Sequence, residues 1–421
     1  MKTGRTFWLI MAFAALMALG AIRTRDIWFE RMFVLAILVV FASLLWAWFS
    51  IQPITVTRTA REHRQQVGQY FKEKFQVQNH SAFSRLWVEI CDLSNLKGQP
   101  GSKVLAQIAP HEDRIYLSRT LLTKRGLINL GPMQIISGDP FGIFKSSRLI
   151  ASTNQLLVYP HFFRLENFPA LPGYLSGGRQ RKQKTTEVTP YAAGVREYQP
   201  GDPLSRIHWR TTARRDRTMV KEFEQDPQTQ VWLYIDCNPD VQAGIDELDP
   251  DDRHGQLRLD RIYRGESVPR HTFEYLISAA ASVADYYIRR NCNVGLATSG
   301  KIWFTLPVER GERQLQKIYE ALTLVTYDGN HNAADLVEAQ ARQANRGATV
   351  VLFTASSGTD SIQAMDILIR RRLNPILILS DSKSFGGVSS GEEIIPLLQS
   401  RGVPYVLLRA GEDIKSKLEG K

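Results

Sequence analysis

Two apolar runs open the chain. Phe7 to Ile22 is apolar almost without a break, and Met32 to Ile51 carries no charge. Each approaches the length that crosses hydrocarbon as a helix. Trp28, Trp46 and Trp48 lie toward the ends of the second run, where amphipathic rings settle at an interface. Arg23, Arg25 and Asp26 interrupt the two, and a loop of about nine residues suits an antiparallel hairpin, placing a transmembrane hairpin over 1–52. The first run also has signal-peptide features, with Lys2 and Arg5 ahead of it and Ala18-Leu19-Gly20 as a small-residue site; the second run anchors the chain in either reading.

Beyond Ile54 the period changes to two. Phe71 to Gln78, Leu86 to Ile90 and Arg114 to Arg119 alternate apolar and polar positions, and 97–101, 129–132 and 137–140 carry Gly and Pro turn signals. Short strands at this spacing predict a small β-rich, sandwich-like domain over 53–165. Residues 166–194 combine Gly, Ser and Pro with Arg179, Arg181, Lys182 and Lys184 and read as a basic linker. The pattern changes again in 195–421. Val231–Asp236, Asn293–Thr298, Thr349–Thr354, Pro375–Leu379 and Pro404–Leu408 are apolar strands. Thr272–Arg290, Glu312–Val325, Ala333–Asn345, Asp360–Arg372, Glu392–Arg401 and Glu412–Leu418 read as helices. This alternation predicts a doubly wound α/β sheet, covered on both faces, with its site at the C-terminal ends of the strands. A polar, acidic insertion spans 240–270.

A net charge of +11 favours anionic partners. Cys91, Cys237 and Cys292 are far apart and odd in number, which suits a reducing compartment. Lys2 and Arg5 precede the hairpin, Arg58, Arg61 and Arg64 follow it, and Arg23, Arg25 and Arg31 lie between the apolar segments. This bias puts both ends in the cytoplasm.

The segment between linker and sheet carries the most specific pattern: Arg196-x-Tyr198, the turn Pro200-Gly201-Asp202, Arg206, Ile207-His208-Trp209, Ala213-Arg214 and Val220-Lys-Glu-Phe223. Pro-Gly-Asp is a tight turn by composition. Arg206, Arg210 and Arg214 recur every fourth residue and share a face on a short helix, with Ile207 and Trp209 free to point inward. Such guanidinia either brace the fold or dock carboxylates and phosphates. Together these motifs resemble the bacterial family called domain of unknown function 58. Lys124-Arg-Gly, Leu130-Gly-Pro and Asp139-Pro-Phe-Gly-Ile-Phe144 resemble that family's β-rich region. The resemblance implies a von Willebrand factor A-like α/β domain, an inner-membrane location, a MoxR-type AAA+ ATPase as partner and no enzymatic activity.

Domains of that type often carry a divalent ion on Asp-x-Ser-x-Ser. Here the first strand ends Asp236-Cys237-Asn238-Pro239-Asp240, so both serines are missing, and Thr354-Ala355-Ser356 lacks the carboxylate of the later motif. Asp236, Asn238 and Asp240 remain candidate oxygen ligands for Mg²⁺ or Ca²⁺; the alternative is that Asp236 caps a turn. Gly295 to Lys301 nearly spells a phosphate loop, but Ile302 replaces the hydroxyl residue and a strand follows, as in a hairpin. Gly387 to Gly391 fits G-x-S-x-G without a strand running into Ser389. The expectation is a membrane-anchored, non-enzymatic interaction protein that binds no nucleic acid. A membrane-bound hydrolase using Asp236, His208 or Ser389 is the alternative.

Overall fold

The computed structural model describes residues 2–24, 26–50, 54–60, 63–97, 101–151, 154–168, 192–199, 207–223, 230–244 and 268–420. They fall into two units, divided after His161. Most of the basic linker and of the acidic insertion lies outside the described residues.

In the first unit, α1 (Arg5–Thr24) and α2 (Ile27–Phe49) are long and apolar enough to cross a membrane. The connection is tighter than the expected loop. Asp26 caps α2, its carboxylate accepting from Trp28 N–H at 3.1 Å, so the helix begins at Ile27 and takes in Trp28 and Arg31.

Eleven short strands follow the alternation or extend it. They are β1 (Lys2–Thr3), β2 (Ile54–Ala60), β3 (Arg64–Gln66), β4 (Tyr70–Asn79), β5 (Arg85–Asp92), β6 (Lys103–Ile108), β7 (Asp113–Leu121), β8 (Gly126–Leu130), β9 (Met133–Gly138), β10 (Phe144–Ile150) and β11 (Asn154–Tyr159). The sheets run β1-β10-β9-β5-β6, β2-β4-β7 and β3-β11-β8. Ile54, Val56, Phe75, Val77 and Tyr116 of the second sheet share one core with Val88, Ile90, Leu105, Met133 and Ile135 of the first. Phe75 and Tyr116, directly opposed, stack at 4.9 Å.

That core encloses a charged group. Arg58 Nε meets Glu73 Oε1 at 2.5 Å, and its two terminal nitrogens meet Asp92 Oδ1 and Oδ2 at 3.0 and 3.3 Å, all with side chains at most 1% exposed. Arg58 was grouped above with the basic residues flanking the membrane segment. It is also a core residue of the β-rich unit.

The second unit starts with a two-stranded piece, β12 (Ala192–Glu197) against β13 (Met219–Phe223), with α3 (Trp209–Arg215) between them in sequence. β12 takes up the last residues assigned above to the linker. The main sheet comprises β14 (Gln230–Ile235), β15 (Asn293–Thr298), β16 (Phe304–Glu309), β17 (Thr349–Thr354), β18 (Asn374–Ser380) and β19 (Tyr405–Leu408). Its order is β16-β15-β14-β17-β18-β19, all parallel except β16 on the edge. Every residue of β15 and β17 is buried, which is why these strands read as unbroken apolar runs. α4 (Thr272–Arg289), α5 (Glu312–Leu324), α6 (Ala333–Gln340), α7 (Thr359–Arg370), α8 (Ile395–Ser400) and α9 (Ile414–Leu418) complete the unit. α6 stops at Gln340, short of the expected Asn345. Near-phosphate-loop residues 295–301 are the end of β15 and its turn into antiparallel β16, as a hairpin requires.

Candidate functional site

The chain runs outward from β14 through β15 to β16, then returns to the other side of β14 with β17. The sheet order therefore reverses between β14 and β17, the place where open parallel sheets leave a crevice beyond the strand ends. Asp236 follows β14 there, and Thr354 closes β17. Thr354 Oγ1 donates to Asp236 Oδ2 at 2.7 Å, and Asn238 N–H donates to Asp236 Oδ1 at 3.1 Å. Asp236 is fully buried. Burial pushes its carboxyl up to about 6, against the two hydrogen bonds, and the nearby Asp360 carboxylate adds to the rise.

A chain of polar contacts continues from this pair. Ser356 N–H donates to Thr354 Oγ1 at 2.9 Å, and Ser356 Oγ to Asp360 Oδ1 at 2.7 Å. On the other side, Cys237 N–H donates to Ser299 Oγ at 3.1 Å. Asp360, in the first turn of α7, thus brings a carboxylate to Ser356, one hydrogen-bond step beyond Thr354. Sequence spacing alone presented Asp360 only as the start of a helix.

The three candidate ligands organise a turn. Asp236 holds Asn238 N–H, and Asn238 Oδ1 in turn accepts from Asp240 N–H at 3.0 Å, capping a short 3-10 turn at Pro239. Asp240 itself points to solvent. Among the described residues no group of three or more His, Cys, Asp or Glu is arranged to hold a metal ion. Both Asp236 oxygens already accept hydrogen bonds from the chain, so the arrangement fits the turn-capping alternative better than a resident cation.

The surrounding loops are closely fitted. Gly329 N–H donates to Cys237 O at 3.0 Å, and a Cβ on Gly329 would sit 1.9 Å from Ser299 O. Backbone carbonyls cannot yield as a side-chain tip does. Gly329→Ala is expected to cost about 1–3 kcal/mol and to speed amide exchange at Cys237 and position 329. Unchanged exchange at both would show that the loop accommodates the methyl group. Lys301 N–H donates to Asp328 Oδ1 at 3.0 Å, holding that carboxyl below its ordinary range. Two apolar side chains stand out from loops at this edge: Ile302 is 84% exposed and Val388 98%.

The signature segment is assembled separately. Arg196 lies in β12 opposite Val220, and Tyr198 N–H donates to Thr218 O at 2.8 Å. Gly201, Asp202 and Arg206 lie outside the described residues. Ile207 is buried and bridges to Val220, but Trp209 is 70% exposed, contrary to the inward position expected for it. The reason is the helix start. His208 is the N-cap, accepting from Thr211 N–H at 3.1 Å, and this turns Trp209 out at the first helical position. Arg210 and Arg214 share the exposed side of α3. His208→Ala is expected to loosen α3 by about 1 kcal/mol and His208→Asn to preserve it, read as amide exchange at Thr211 and Thr212. Equal exchange in both variants would deny His208 its capping role.

His208 bonds Thr211, Asp236 bonds Thr354 and Asn238, and the Ser389 carbonyl takes Lys383 N–H. No hydrogen bond among the described residues joins these three into a set.

Comparison with known proteins bears on the same segment. Residues 194–253 match the family model described as "Protein of unknown function DUF58". The uncharacterized protein YeaD of Bacillus subtilis (strain 168) is 25% identical over 222 residues, covering 52% of this chain and 46% of that protein. The match therefore spans less than half of the relative's length. Both findings support the DUF58 family. Among solved structures, the CARDB domain of the PF1109 protein from Pyrococcus furiosus covers 25% of this chain and 91% of that domain, at 12% identity and a TM-score of 0.20. A β-glucosidase from Listeria innocua covers 25% of this chain and 16% of the enzyme, at 5% identity and a TM-score of 0.18. Overlaps this slight carry no inference about the segment that matches the family model or the sheet that follows it in sequence.

Proposed function

We propose that this is a membrane-anchored, non-enzymatic interaction protein whose α/β unit docks a partner on the strand-end face. The observation that carries the proposal is the make-up of that face. A turn pinned to a buried carboxylate at the sheet's switch point lies on the same edge as the almost fully exposed Ile302 and Val388. Loops carried on a rigid sheet are where binding residues concentrate, and Ile302 and Val388 are the side chains that such a loop surface would offer a partner. The strand order with a single antiparallel edge fits a von Willebrand factor A-like domain, and the shared core of two β-sheets fits a β-sandwich. The two apolar helices fit a hairpin in the bacterial inner membrane with the soluble units on the cytoplasmic side. The DUF58 resemblance makes a MoxR-type AAA+ ATPase the partner of choice.

The test is affinity capture of the tagged full-length chain from its native membrane, comparing wild type with Ile302→Asp/Val388→Asp. Both positions are solvent-exposed, so the fold should tolerate the change. An AAA+ ATPase recovered with wild type and lost with the variant supports the proposal. No ATPase with wild type overturns the partner, and equal recovery with both overturns the face.

A further inference from the structure

β7 is the longer edge strand of its sheet: β4 pairs along all of it, and among the described residues no strand pairs with its other side. Its outward positions are Asp113, Ile115, Leu117 and Arg119. Ile115 is 51% exposed and Leu117 67%, an unusual pair to leave on an open edge. Asp113 is steadied on this face by Gln76 and Gln78 of β4, whose Nε2 atoms donate to Oδ2 at 3.2 and 2.9 Å.

We propose that β7 pairs antiparallel with β7 of a second copy, centred on Tyr116. The occupant follows from the order of the four side chains. In antiparallel pairing, the sum of two opposed residue numbers is constant. It must be even here, so that outward residues meet outward ones and edge-facing amides meet edge-facing carbonyls. Centring on Tyr116 sets Asp113 opposite Arg119 of the second copy, and Ile115 opposite its Leu117. Two-fold symmetry repeats both pairs, giving two apolar pairs flanked by two ion pairs. Centring on Ile115 would instead set Asp113 against Leu117, and centring on Leu117 would set Ile115 against Arg119. Only the Tyr116 register matches charge with charge and apolar with apolar, which is what an isologous contact requires.

The test uses the full-length chain in detergent, with mass measured by light scattering across a dilution series. Wild type is expected to dimerise. Asp113→Arg sets arginine against Arg119, and Arg119→Asp sets aspartate against Asp113. Each should weaken the dimer about tenfold or more, and the double reversal should restore it. Coexpressed Ile115→Cys and Leu117→Cys chains should cross-link to one another faster than either does to itself. A monomeric wild type overturns the proposal. So does a dimer indifferent to the single reversals, or a double reversal that fails to restore a dimer the single reversals weakened.

Discussion

Replacing Arg58 by alanine should destabilise the β-rich unit by roughly 3–5 kcal/mol, the largest effect of any single change considered. The guanidinium lies between Glu73 and Asp92 with no access to water and rests 5.3 Å from the Phe75 ring. Burial pushes the Glu73 carboxyl up, opposed by the hydrogen bond and charge of Arg58, while Asp92 pushes the same way as burial. Asp92 has further donors in Ser94 N–H and Ser94 Oγ, at 3.1 and 2.9 Å. Without Arg58, Glu73 retains only the two influences that disfavour its charge. A carboxyl raised in the fold stabilises below its unfolded value and loses that contribution as pH rises through the folded value. Arg58→Ala should therefore be least stable at neutral pH and recover part of the loss on acidification. Glu73→Gln should be mild at neutral pH, because Gln keeps an acceptor for Arg58 Nε and removes a charge the fold disfavours. Amide exchange in β2, β4 and β5 of the full-length chain in detergent reads both. Comparable protection in the two variants would mean that the charges contribute nothing beyond packing.

This group was partly legible in the sequence. In Ile54-Thr-Val-Thr-Arg58 and Phe71-Lys-Glu73-Lys-Phe75, opposite charges occupy the apolar phase of two alternating strands. Alternation places both on the buried face, where an unpaired charge is costly, so each implies a partner. The parallel strands were legible because burial on both faces leaves an unbroken apolar run, and the apolar helices because length and composition suffice. Two features were not legible. The strand order depends on which neighbours pair, and local patterning does not encode that choice. The link from Thr354 through Ser356 to Asp360 joins a strand end to a helix start and exists only once α7 folds back over the sheet. Trp209 faces solvent rather than the core for a local reason: an apolar side chain beside an N-cap follows the cap's geometry before its own preference for burial.

Asp236→Asn should stabilise the α/β unit above pH 7 and flatten its pH dependence. A carboxyl that titrates near 6 in the fold and at its ordinary value when unfolded costs the native state roughly 3 kcal/mol at neutral pH. Its contribution is present below pH 4 and lost as pH rises through 6, so wild type should weaken across that window. Asparagine cannot ionise. Its Oδ1 still accepts from Asn238 N–H, but Thr354 Oγ1–H loses its acceptor, a loss of about 1 kcal/mol. The net gain should be about 1–2 kcal/mol above pH 7, turning into a small deficit below pH 4. Amide exchange in β14 and β17 across pH separates the outcomes, and a wild-type unit that gains stability between pH 4 and 7 would sink the account. The same variant bears on docking. The turn at Asn238 and Asp240 hangs from Oδ1, which asparagine retains, so partner capture should survive Asp236→Asn. Asp236→Ala removes the ionisation and the anchor together and should lose capture. Capture lost in both variants would show that the partner senses the charge itself rather than the turn it holds.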